Sequence, residues 1–209
     1  MFTYARTTRG LIALSAPALL AFAGCKEKAE NTASAPRAVG NQPVQVERAP
    51  NTENRRDIHR DLRERALTFR VPAGTPRVTP HQVHGIVVDW GMDIGTTTVV
   101  FMNDGSASVY VSGGGGVIGA GDQPGVRDAG IKVLDEAAQV LPLMSPSPLI
   151  PLPGVEEMRF TVITDQGLFT ASDSVAQLSS GTGPFAELGN RVQELIFAIS
   201  QAERRANGR

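Results

Sequence analysis

Three groups of residues in this chain have types and spacings that bear on chemistry. The glycine run Gly113 to Gly121 contains Gly114-x-Gly116-x-x-Gly119 between an expected strand and an expected helix. Glycines so placed let backbone N–H groups and a helix N-terminus approach a phosphate. No Gly-Lys-Ser/Thr follows and no later strand supplies an acid for a ribose, so the competing reading is a glycine bend or bulge that brings backbone close to the helix. The segment Asp93-Ile94-Gly95-Thr96 reads from its residues as a hairpin turn using Asp and Gly. The third group is His81-x-x-His84 with Asp89 and Asp93 downstream, a set of metal-ligand types. On a helix two histidines three apart serve one metal, but Pro80 and the following apolar run indicate extended chain, which sends them to opposite faces. Ser106 and Ser112 have no recognisable base, so a hydrolase triad is not supported. The single cysteine excludes an internal disulfide framework and any zinc site of several thiolates. No catalytic residue, metal or cofactor is assigned.

Positioning these groups requires a folded domain, and the pattern of apolar residues supplies one. Of 209 residues 41% are hydrophobic and 20% charged, which excludes wholesale disorder and a long coiled coil. Gly85 to Met92, Thr96 to Asn103 and Ser106 to Ser112 are rich in Val, Ile and Thr and are separated by short turns, of which Asn103-Asp104-Gly105 is the strongest. They predict an antiparallel meander. Pro124 to Val140 carries Val126, Ala129, Ile131, Val133, Leu134 and Ala137 as a helical stripe, and the five prolines between Leu141 and Pro153 end that helix in a covering loop. Met158 to Thr164 and Leu168 to Ser172 form a second hairpin, and Phe185 to Gln201 a closing helix. Connections this short exclude a parallel crossover sheet. The expected fold is α+β: a two-layer sandwich with an antiparallel sheet of about five strands in the order β-β-β-α-β-β-α and two helices on one face.

Ahead of residues 81–205, which form this domain, residues 53–80 read as a basic amphipathic helix and linker, with Ile58, Leu62, Ala66 and Phe69 at helical spacing. From Arg48 to Arg77 there are eight arginines and four acids, net +4; from His81 to Arg209 seven basic and fourteen acidic residues, net −7. Arg55, Arg56, Arg60 and Arg63 suit a polyanion such as anionic lipid, or an envelope protein partner. The plainer reading is a solvated helix docking its apolar edge on its own acidic domain. Nucleic acid is not expected, because aromatic residues are sparse and the N-terminus reads as an export signal. Residues 25–52 interleave Ala, Asn, Pro, Thr and Ser with charge and read as a disordered tether of roughly 30 Å reach. Residues 206–209 are a tail.

Arg6 and Arg9 precede the mostly apolar run Leu11 to Phe22, which ends in Phe22-Ala23-Gly24-Cys25. This resembles a bacterial lipoprotein signal peptide, residues 1–24, with its lipobox; Phe22 stands where Leu is usual. The resemblance implies lipidation of Cys25, membrane attachment through lipid, and, with Lys26 after the cysteine, the periplasmic face of the outer membrane in a Gram-negative envelope. Asp93 to Val100 resembles the first phosphate loop of actin-like sugar kinases and heat-shock chaperones, which implies a metal-and-water role for Asp93 and a phosphate role for Thr96. About 125 residues supply only one small domain where that superfamily uses two large lobes. Asp104 to Tyr110, Ser112 to Gly119 and Val126 to Ala129 together resemble a group of uncharacterised bacterial proteins with a strand, a glycine-rich turn and a helix in this order; that resemblance implies one intact domain from Gly85 to Arg205 and no particular chemistry. The sequence therefore predicts a lipid-anchored cell-envelope protein acting as a non-enzymatic binding or assembly module. The alternative is a nucleotide- or phosphate-binding enzyme using the Gly113–Gly121 loop, with Gly114, Gly116 and Gly119, or the Asp93–Thr98 turn.

Overall fold

The computed structural model describes residues 52–208 apart from 80 and 81. Helix α1 spans Thr52–Thr68. Strands β1 (Val83–Met92), β2 (Gly95–Met102), β3 (Ala107–Val111) and the short β4 (Gly116–Ile118) follow in a meander. Helix α2 (Pro124–Val140) leads through a loop containing the two-residue strand β5 (Ser145–Pro146) to the hairpin of β6 (Glu157–Thr164) and β7 (Gly167–Ser174). The chain closes with α3 (Val175–Ser180) and α4 (Ala186–Ala206).

Among the described residues the fold is α+β, built on one antiparallel sheet in the order β4-β3-β2-β1-β6-β7-β5. Two strands beyond the expected five come from β4 and β5 at the two edges. A glycine run and a Ser-Pro pair carry no alternating apolar pattern, so neither announces a strand. Pro146 is tolerated because an edge strand needs no N–H on its outer side.

The layers also differ from the two-layer expectation. On one face Ile86, Val88 and Trp90 of β1, Phe101 of β2, Val109 of β3 and Phe160 of β6 join Val133 and Leu134 of α2, Leu178 of α3, and Leu188, Val192 and Ile199 of α4 in the main core. On the opposite face Val87, Val100, Met102, Tyr110 and Ile163 form a second cluster, against which Leu62, Ala66, Leu67 and Phe69 pack. Helix α1 thus covers the back of the sheet, and the protein has a helix–sheet–helix arrangement. The sequence of β1 requires this: a strand buried on both sides reads as a nearly continuous apolar run, as Ile86-Val87-Val88 does.

The remainder of the back face is roofed by residues 147–156. Glu156 N–H donates to the Gly91 carbonyl at 3.0 Å. A Cβ on Gly91 would collide with the Gly154 carbonyl, so only glycine allows the loop to lie this close to β1.

Candidate functional site

Strand alternation brings Asp89 of β1, Thr98 of β2 and Tyr110 of β3 into one row beneath α1, since Asp89 pairs with Thr98 and Thr98 with Tyr110 across the ladder. From above, His59 and Arg63, one helical turn apart, point down onto this row. Arg63 approaches Asp89 Oδ2 through Nε at 2.9 Å and Nη2 at 2.7 Å, and Nη2 also donates to the Ile150 carbonyl at 2.8 Å. Thr98 donates its hydroxyl to Asp89 Oδ1 at 2.6 Å. His59 Nε2 lies 3.0 Å from Thr98 Oγ1. Because that hydroxyl proton already goes to the carboxylate, Nε2 must carry the hydrogen and donate, which fixes the imidazole tautomer. Tyr110 meets the His59 ring edge-on with centroids 5.5 Å apart.

This constellation is sealed: Asp89 is 0% exposed, His59 3% and Arg63 8%. Burial, more than the neighbouring Arg63, holds His59 below its ordinary pKa, while Asp89 pulls the other way. Burial likewise raises the Tyr110 hydroxyl, with Asp89 adding to the effect. The Asp89 carboxylate accepts from two arginine nitrogens and one hydroxyl, so its lone pairs are engaged within the protein. Thr98 gives its proton to a carboxylate and presents no face to solvent. The chemistry of the arrangement is a dock for α1.

The sites read from the sequence lie elsewhere. Asp93 is exposed at the β1–β2 turn and Thr96 is buried beside it, its N–H donating to Ser112 Oγ at 2.9 Å and its carbonyl accepting from Ser112 N–H at 2.9 Å. The glycine run divides into three parts. Gly113 to Gly115 turn the β3–β4 hairpin, with Gly114 N–H donating to the Val111 carbonyl; Gly116 pairs with Tyr110 in β4; Gly119, in the left-handed region at φ 76°, enters the 3-10 turn Ala120–Asp122 before α2. Gly114 and Gly115 have φ of 101° and 90°. The N-terminus of α2 opens at Pro124, beyond that 3-10 turn, so the run does not lead directly into the helix. The sheet does bring the Asp93 turn and the glycine turn side by side at one end of the molecule, where Arg55 of α1 donates to the Gly113 carbonyl at 3.3 Å.

Of the other arginines, Arg56 is exposed and Arg60 pairs with Asp57 at 3.0 Å on the helix surface. Arg63 faces the sheet. His84 accepts from Val71 N–H through Nδ1 at 3.0 Å and donates from Nε2 to Asp165 at 2.6 Å, tying the chain after α1 to the β6–β7 turn. His84 and Asp89 are five residues apart on β1, about 16 Å along the strand. No group of three or more metal-ligand side chains forms among the described residues. Ser106 is exposed, and Ser112 is engaged with the Thr96 backbone. Cys25, His81 and residues 25–51 of the tether lie outside the described residues, while Thr52, read as the end of the tether, opens α1. No described helix is long and apolar enough to cross a membrane. Sequence reading missed His59, Arg63 and Thr98 as a unit; the available signal was Asp89, a carboxylate inside an apolar run, which must find a buried partner.

A cavity of about 370 Å3 opens between the loop and the back of β6 and β7, lined by Ser147, Leu149, Pro151, Arg159, Thr170 and Ser172 among others. Arg159 donates to the Pro151 carbonyl at 2.6 Å and pairs with Glu157 at 3.1 Å. Glu157 is held below the usual carboxylate range by the Gly154 N–H first and by the Ser172 hydroxyl next. Leu149 is 78% exposed and Val155 58%, so the loop presents apolar side chains outward.

No protein-family model, no curated protein and no solved structure matches the chain.

Proposed function

We propose that the protein is a lipid-anchored component of the cell envelope, attached through Cys25, whose domain is a non-enzymatic binding or assembly module. One observation carries the non-enzymatic part: the acid, base and hydroxyl groups that the fold gathers, Asp89, His59, Arg63 and Thr98, are bonded to one another beneath α1 and shielded from any substrate. What the surface offers instead is suited to contact. Leu143, Leu149, Leu152 and Val155 are exposed on the proline-rich segment, and Arg56 and Arg60 are exposed on α1 for an envelope protein or polyanion, whereas Arg55 reaches the Gly113 carbonyl and Arg63 is buried against Asp89. The lipobox resemblance supports the address at the periplasmic face of the outer membrane.

The alternative, a nucleotide- or phosphate-binding enzyme, draws support from the adjacency of the Asp93 turn, the Gly113–Gly115 turn and Arg55. Titration of the protein with ATP and GTP separates the two. A binding module gives no saturable rise in melting temperature; a saturable rise in the wild type that disappears in Gly116→Ala selects the enzyme.

A further inference from the structure

We propose that α1 is a pH-released cover: protonation of His59 opens the polar latch beneath the helix, and α1 leaves the back of the sheet while the sheet itself stays folded. The latch is electrically balanced only while His59 is neutral. Asp89 carries one negative charge and Arg63, 2.7 Å away, one positive charge. His59 already uses Nε2–H to reach Thr98, so an added proton goes to Nδ1 and places a second cation in a site where Asp89 is wholly buried and already paired.

Asp89 favours a charged His59 but is already paired with Arg63, and the other groups that surround His59 offer no compensation. On its own helix, Arg55 one turn earlier and Arg63 one turn later are both cations. From β3 Tyr110 presents a ring, and burial keeps its hydroxyl protonated. From β6 Arg159 stands opposite Asp89 in the ladder, itself paired with Glu157. Asp89 on β1 is the one carboxylate bonded into the latch among the described residues. Thr98 on β2 is uncharged.

The direction follows from linkage. Desolvation lowers the His59 pKa in the docked state, whereas on a released helix it titrates near the ordinary ~6.5. The released form therefore binds more protons below that value. Docking is at full strength above about pH 6.5 and weakens as pH falls, by up to about tenfold per pH unit until docked His59 itself titrates. The released helix exposes Leu62, Ala66, Leu67 and Phe69 together with its arginines.

Hydrogen exchange on the full chain, expressed as protection factors so that intrinsic rates cancel, tests this between pH 7.5 and 5. Residues 55–67 should lose protection as pH falls below 6.5 while β1, β2 and β6 keep theirs. In His59→Gln, which retains an N–H donor and cannot titrate, protection of α1 should be nearly independent of pH. Constant α1 protection in the wild type overturns the proposal, as does an equal loss in His59→Gln, which would assign the effect to a group other than His59. An NMR titration of the His59 ring is the independent measurement: a pKa at or above 6.5 in the intact protein contradicts the latch even where the variant fails to fold.

Discussion

Asp89 is the residue on which the back of the molecule turns. Replacing it with Ala leaves the Arg63 guanidinium buried without its counter-charge and Thr98 without its acceptor, a change expected to cost about 3–5 kcal/mol in urea unfolding. Removing both charges in Asp89→Leu with Arg63→Met should cost far less than Asp89→Ala alone, because a buried ion pair and apolar side chains of similar volume are close in stability. A double variant as costly as Asp89→Ala alone would show that the ion pair stabilises α1 beyond what apolar side chains supply. The sequence offered Asp89 only as one member of a metal set with His81 and His84. Its real partner is hidden because Arg63 sits 26 positions earlier, on a helix whose apolar spacing picks out Ile58, Leu62 and Ala66. That stripe is rotated in the structure: Ile58 is 48% exposed, while His59 and Arg63 point at the sheet. A polar side chain on the docking face is invisible to hydrophobic periodicity, which counts it as solvent-facing.

At the scale of elements, legibility follows length and pattern. Strands β1, β2, β3, β6 and β7 and helices α2 and α4 have runs of Val and Ile or a sustained helical stripe, and each stands where the sequence indicated. Helix α3 has six residues, too few to show a period, although Ser174 caps it by accepting from Gln177 N–H at 3.2 Å. The covering loop was legible from its prolines, but its attachment to β1 was not, because that depends on the missing side chain of Gly91. Gly91→Ala should push the loop off the strand, lowering stability by about 1–3 kcal/mol and speeding proteolysis between residues 147 and 156. Unchanged cleavage there would mean that the loop is held by Arg159 and Glu157 instead. The glycine run makes a parallel case. At φ 149°, and with a Cβ directed at the Val109 carbonyl and the Tyr110 backbone, Gly116→Ala should cost more than about 1 kcal/mol in thermal unfolding whether or not any ligand is added.

Across the whole molecule the charge asymmetry read from the sequence acquires a location. The basic segment is the layer on the back of an acidic domain, and one of its arginines is buried in that domain. Limited proteolysis at neutral pH should therefore leave a resistant fragment beginning near residue 52, with α1 retained; a fragment beginning near residue 85 would show that the helix is not held. What the domain serves depends on where the chain is fixed, and that rests on Cys25, the only cysteine available for acylation. Metabolic labelling with a radioactive fatty acid, comparing wild type with Cys25→Ser and fractionating membranes from the same cells, addresses it directly. Label and membrane association present in the wild type and both lost in Cys25→Ser are the predicted result; labelled, membrane-bound Cys25→Ser protein, or an unlabelled wild type, would contradict the lipid-anchored account.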